Sequence, residues 1–153
     1  MATDNKSFET PCICFHLRRA SRAVSQFYDA RFKPLGLSGA QYGLMVCISR
    51  LDGACIGDLS EAMGLEQSTV TRNVELLAAK KLVAVETDPD DARRRRLALT
   101  GEGREKLHQA APRWREAQQE MESRLGDKGV TQLLSLLEQV ESLDSTPNRR
   151  QHR

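Results

Sequence analysis

The stretch DLSEAMGLEQSTVTRNVELLAAK, Asp58 to Lys80, decides the fold. A short helix is expected over 58–63 with Leu59 and Ala62 facing inward, and Gly64 supplies the turn that ends it. The second helix, Glu66 to Lys80, repeats Val70, Val74 and Leu77 at i, i+4 and i+7, which marks its buried face. Opposite them stand Ser68, Arg72 and Glu75, flanked by Gln67, Thr69 and Thr71. Two helices joined by a glycine turn, the second with a hydroxyl, amide and guanidinium face, form the pattern of a helix-turn-helix. Short donors and acceptors at the start of the second helix suit the reading of base edges, and Arg72 is placed for a base or a phosphate.

The residues that follow sharpen this reading. Leu82 to Glu86 alternates like a strand and Leu97 to Leu99 like its partner, with TDPDDARRRR, Thr87 to Arg96, between them. A hairpin directly behind a helix-turn-helix is a wing. Its arginines, Arg93, Arg94, Arg95 and Arg96, suit phosphates or a narrow minor groove. Consecutive side chains on a strand alternate in direction, so not all of them face DNA. An isolated charge run is more often a solvated hairpin; the position behind two such helices favours DNA.

Working outward, Thr10-Pro11 is a helix start, and Ile13, Leu17, Ala20, Val24, Phe27 and Phe32 fall near one face of a helix ended by Pro34 and Gly36. Arg18, Arg19, Arg22 and Arg31 lie on its other face. Ser38-Gly-Ala-Gln41 reads as a capping box opening a helix to about Leu51. Asp52-Gly53 is a turn, and Ala54 to Ile56 suits a brief strand. Thr100 caps a long helix with Leu107, Ala110, Ala111, Trp114, Ala117, Met121 and Leu125 on one stripe, kinked or restarted at Pro112. A Leu-rich helix over Asp127 to Leu143 closes the fold, between a flexible 1–10 and a disordered 144–153 tail. The fold class is therefore mainly α with a small β wing. A single domain over 11–143 comprises a winged helix-turn-helix of about 38–100 and helical regions of about 11–35 and 101–143. The apolar stripes of those flanking helices exceed what one short domain covers, so a second copy is expected to bury them. The other solution is an intramolecular three-helix pack.

With 153 residues the chain suits one domain, and is too short for a dinucleotide-binding enzyme with a substrate domain or for a (β/α)8 barrel. A net charge of +2 excludes a polycationic nucleic-acid coat but not a local basic patch. Six of the seven Phe, Tyr and Trp rings lie before residue 43, so an aromatic cavity draws mainly on that stretch. No secretory signal or bilayer-length apolar segment is present, which points to the cytoplasm, with no membrane partner and with Cys12, Cys14, Cys47 and Cys55 as thiols in helix or buried core. Phosphate-binding loops, dinucleotide fingerprints, HExxH and GxSxG elbows are missing, so neither an enzyme nor a cofactor is expected. Cys12, Cys14 and His16 splay around a helix and do not form a metal site. A protein-protein winged-helix module without DNA is the other functional class, disfavoured by the polar face at Ser68 to Arg72.

Taken in order, Leu59 to Leu65, Ser68 to Arg72, Leu76 to Val83, Asp88 to Arg93, Leu99-Thr100 and Gly103 resemble the MarR family of winged-helix transcriptional regulators, over roughly residues 10–143. The resemblance implies a homodimer with interlocked terminal helices, each subunit setting one winged helix-turn-helix on a near-palindromic double-stranded operator, most often as a repressor. It makes Arg93 the wing-tip contact and Asp91 its orienting partner.

Two kinds of signal follow from the resemblance. Cys14-Phe-His-Leu17 and Tyr28 are similar to the organic-peroxide sensors of the family, the OhrR-like branch, in which Cys14 takes the sensing position and Tyr28 that of a tyrosine bonding its thiolate. Arg18 and Gly39 occupy the other two tyrosine positions. Cys14 and Arg18 stand at i, i+4 near a helix N-terminus, which favours thiolate. Cys12 and Cys14, two apart on a helix, point in different directions and do not pair without unfolding. Cys47 and Cys55 read as small core residues. The alternative is a small aromatic ligand in a pocket walled by Arg18, Arg22, Tyr28, Tyr42 and Trp114, with arginine holding a carboxylate.

Overall fold

The computed structural model describes residues 11–51 and 53–144. Expectations for residues 1–10, including the Thr10 cap, for Asp52 and for the tail from 145 lie outside the described residues. In chain order come α1 (Ile13–Phe32), a 3-10 turn (Lys33–Leu35), α2 (Gly39–Arg50), α3 (Ile56–Met63), α4 (Gln67–Ala79), β1 (Val83–Thr87), β2 (Arg95–Leu99) and α5 (Gly101–Glu141), with a last 3-10 turn at Ser142–Asp144. The chain divides into two compact units after Arg115, so α5 contributes to both.

The first unit holds the core. Phe32, Leu44, Met45, Leu59, Val70, Val74, Leu77 and Leu97 are its buried centre, and Phe32 stacks on Tyr42 at 4.6 Å. The capping box at the start of α2 is complete: Ser38 Oγ accepts the Gln41 N–H at 3.1 Å while the Ser38 N–H donates to Gln41 Oε1. Leu59 faces inward as expected, but Ala62 is exposed and Met63 takes the second inward position. Four residues after Leu59 complete a turn more nearly than three. Ala54 to Ile56 is not a strand, because α3 begins at Ile56. The Ala54 carbonyl instead accepts the Leu97 N–H at 2.8 Å, adding a single rung to β2. In the wing, β1 and β2 pair antiparallel with Val83 opposite Leu99 and Thr87 opposite Arg95.

Helix α4 ends in a two-bond cap: the Lys81 N–H donates to Ala78 O and the Leu82 N–H to Leu77 O, each at 2.9 Å. This closure places Lys81 at φ 59°, where glycine ordinarily sits. Lys81→Gly is expected to stabilise the protein by about 0.5–1 kcal/mol, since relief of the left-handed strain outweighs glycine's added unfolded-state entropy. A urea midpoint unchanged or lowered would contradict this.

Thr100 caps α5, its Oγ1 accepting the Gly103 N–H at 2.9 Å and donating to Lys81 O at 2.6 Å. The helix runs through Pro112, where a kink or restart was expected, and breaks at Gly126, with φ 69° and ψ 161°, just ahead of the expected start of the closing helix at Asp127. One missing N–H at Pro112 leaves the surrounding helical bonds in place, whereas glycine reaches positive φ without a Cβ clash. In the second unit the described part of α5 exposes Leu125, Leu133, Leu134, Leu136 and Val140.

Candidate nucleic-acid interface

Val70, Val74 and Leu77 seat α4 in the core, and the α-helical rise of 100° per residue then fixes what faces outward. Ser68 and Arg72 lie about 200° round from Val70. Gln67, Ser68, Thr69, Thr71 and Arg72 are all exposed. Asn73 is half-buried and donates from Nδ2 to the Thr69 carbonyl at 3.0 Å, a local bond that the amphipathic pattern did not single out.

The wing turn is organised by carboxylates acting on backbone. Asp91 Oδ1 accepts the Arg93 N–H at 2.9 Å, so Asp91 orients Arg93 through the main chain. Asp88, 8% exposed, accepts the Asp90 N–H at 2.8 Å and lies 3.5 Å from Arg96 Nε. The four arginines divide. Arg93 is exposed at the turn, and Arg95 donates across the hairpin to Thr87 Oγ1. Arg96 leans on Asp88 and covers Gly53, where any Cβ would meet its guanidinium at 2.5 Å. Arg94 turns toward α3, 3.7 Å from Asp58 and 3.6 Å from Cys55 Sγ.

The Asp90 N–H holds the Asp88 carboxyl below the usual carboxylate range, with Arg96 and Arg94 assisting against burial. A lowered folded pKa means that the ionised group stabilises the turn above the unfolded value of about 3.9, and that this contribution disappears as pH falls through the folded value. Amide protection of residues 88–94 is therefore expected to be flat between about pH 5 and 8 and to be lost only as pH falls below the usual carboxylate range. Loss of protection near neutral pH would show that another group organises the turn.

The MarR family's sequence model matches residues 35–94, the stretch that holds the helix-turn-helix and the wing turn. A Thauera aromatica protein assigned to transcriptional regulation of the hcr operon is 30% identical over 132 residues, covering 86% of this chain and 80% of its own. The chain belongs to the MarR family. MosR, a transcriptional regulator of M. tuberculosis solved in complex with DNA, is 34% identical with a TM-score of 0.75, over 87% of this chain and 98% of its own. BpsR of Bordetella bronchiseptica, 24% identical, shares the fold with a TM-score of 0.79, over 88% of this chain and 96% of its own. This MarR-family chain is a DNA-binding transcriptional regulator.

In this MarR-family protein a cavity of about 790 Å³ lies beside the helix-turn-helix, walled by Tyr28, Phe32, Tyr42, Cys47, Arg50 and Trp114 among others. Tyr28, Tyr42 and Trp114 were expected there. Arg18 and Arg22 are not in the wall, which begins on α1 at Val24; both precede it, on the exposed part of the helix. The arginine in the wall is Arg50 of α2, which the sequence pattern did not single out. Burial pushes the Tyr42 hydroxyl pKa up, and the nearby Arg115 and Arg50 cations oppose that.

Among the cysteines, Cys12 and Cys14 are exposed rather than core, and Cys47 and Cys55 are only half-buried. Cys14 and Tyr28 are fourteen residues apart on the continuous α1, about 21 Å along its axis, so no bond joins them within one chain. A Cβ on Gly39 would lie 3.3 Å from Tyr28 Cβ, a tight contact that a side chain there meets only if its neighbours shift by a few tenths of an ångström. Among the described residues no helix is long and apolar enough to cross a membrane, and no group of three His, Cys, Asp or Glu is placed to hold a metal.

Proposed function

We propose that the protein is a homodimeric cytoplasmic repressor whose two α4 helices engage the half-sites of a near-palindromic operator, released when a small aromatic or phenolic acid enters the cavity. The observation that carries this reading is the cavity itself. Its volume falls within the range of small-molecule sites, aromatic rings line it, and Arg50 offers a guanidinium to a carboxylate. Helix α2 forms part of its wall and leads directly into α3, so a ligand preferring a different α2 position respaces the recognition helices. BpsR, whose DNA binding is regulated by 6-hydroxynicotinic acid, supports an aromatic acid as the class.

The dimer is supported by large apolar residues exposed in the single chain, Ile13 at 70% and Phe15 at 54% on α1 and Leu134 and Leu136 on α5. A second copy covers such a surface without further partners. Sedimentation should give about twice the 17.1 kDa chain mass.

Trp114 is the single tryptophan, so its emission reports on the cavity wall. Titration with benzoate and hydroxybenzoates is expected to change that emission saturably and to release operator DNA over the same range. Arg50→Ala should weaken both about tenfold or more. The exposure of Cys14 favours a second reading, in which an organic hydroperoxide is the signal. That reading prevails if the acids leave the emission unchanged while a hydroperoxide releases DNA from the wild type and not from Cys14→Ser.

A further inference from the structure

We propose that Arg94 is a positioning residue which, with Asp58 and Cys55, locks the wing to the first helix of the helix-turn-helix and so sets where Arg93 and Arg95 meet the DNA backbone. The proposal goes beyond the regulator assignment, which says nothing of how the wing is held.

Arg94 is fixed at both ends. Its N–H donates to Asp91 O at 2.9 Å and its carbonyl accepts the Asp88 N–H at 3.0 Å, so its main chain closes the wing turn. Its guanidinium reaches α3, where one nitrogen, Nη2, donates to Cys55 Sγ at 3.6 Å and stands 3.7 Å from Asp58 Oδ2. Cys55 is the N-cap of α3, and the same Asp58 oxygen accepts the Cys55 N–H at 2.8 Å. Thus one turn at the start of α3 presents an ionised carboxylate and a sulfur to one guanidinium. The Cys55 backbone N–H holds the Asp58 carboxyl below its usual range, with Arg94 contributing, so the group is charged at neutral pH.

An arginine already facing a carboxylate offers less net charge to a phosphate than its neighbours. Among the described residues no carboxylate pairs with Arg93 or Arg95, which flank Arg94 on its two sides along the chain. Arg94 therefore serves geometry, which leaves Arg93 at the turn, and the part of the Arg95 guanidinium not bonded to Thr87, to face the ligand. The pair is exposed, at 54% and 48%, so removing it disturbs no core packing.

The two roles predict opposite signs. Neutralising an acid on a DNA-facing surface strengthens binding by electrostatics alone, whereas neutralising a lock weakens it. The test uses the full chain and a duplex selected by the wild type from a random-sequence library. Asp58→Asn keeps an oxygen for the Cys55 N–H, and Arg94→Gln removes the charge and shortens the side chain so that it no longer reaches α3. Each is expected to weaken binding about fivefold or more at fixed salt, and the double variant no further, because one shared contact is lost in all three. The slope of log affinity against log salt should stay at the wild-type value in all three, while Arg93→Gln should reduce it by about 0.9 per protomer. In the DNA-free protein, amides 88–94 should exchange several-fold faster in Asp58→Asn than in wild type. Tighter binding by Asp58→Asn, or a slope reduced by Arg94→Gln as much as by Arg93→Gln, would overturn the proposal and make Arg94 a phosphate contact.

Discussion

Gly103→Ala is expected to remove a large share of the protein's stability. A Cβ built at Gly103 would sit 2.0 Å from the Leu82 carbonyl oxygen and 2.9 Å from its carbon, both main-chain atoms. That carbonyl cannot swing aside cheaply. It accepts the Thr100 N–H at 3.1 Å, and the Leu82 N–H is engaged in the cap that ends α4. Leu82 is buried between the recognition helix and the wing, so the start of α5 would have to lift away from both. The cost is on the order of 4 kcal/mol or more, a large share of the roughly 5–15 kcal/mol that holds a domain together. Gly101→Ala is the control, since a Cβ there meets only the Arg104 guanidinium at 4.0 Å. Equilibrium urea unfolding of the two variants distinguishes them. A Gly103→Ala midpoint close to that of Gly101→Ala would mean that the contact between α5 and Leu82 is not fixed.

Arg72→Ala is expected to produce the largest loss of operator affinity of any single truncation on α4. Arg72 is exposed and stands opposite the buried face. A guanidinium there spans the distance from a groove-bound helix to a guanine edge or a phosphate. One such contact is worth about 1–3 kcal/mol, and in the proposed dimer it is lost twice, so affinity should fall about 30-fold to over ten-thousandfold. The choice between base and backbone follows from the same titrations. A base contact leaves the salt slope nearly intact and relaxes preference at one position of each half-site, whereas a phosphate contact weakens all sequences alike and lowers the slope. Affinity within twofold of wild type would remove Arg72 from the interface.

The helix-turn-helix was legible because helices encode themselves locally. Val70, Val74 and Leu77 needed only the 3.6-residue repeat to declare a buried face, and by subtraction an outer one. The Ser38 and Thr100 caps were legible for a similar reason, since each acts on a backbone N–H three residues away. Even Gly103 was present as a motif residue, although its purpose, a main-chain contact across 21 positions of sequence, was not.

What remained hidden depends on partners distant in the chain. Four consecutive arginines look equivalent as a string; Arg94 differs because Cys55, 39 residues earlier, lies within reach of its guanidinium. Arg50 rather than Arg18 or Arg22 enters the cavity because the cavity wall on α1 begins at Val24. Pro112 carried a helix-breaking signal, yet the backbone stays helical there and departs from helical geometry only at Gly126, where the closing helix was expected to begin. The sequence by itself therefore determined the winged fold and the outward face of the recognition helix, written in short-range periodicity and capping, and carried the motif residues that resemble the MarR family. Tertiary structure alone decided which cations face outward and which serve the frame, because a side chain's direction is set by what packs against it.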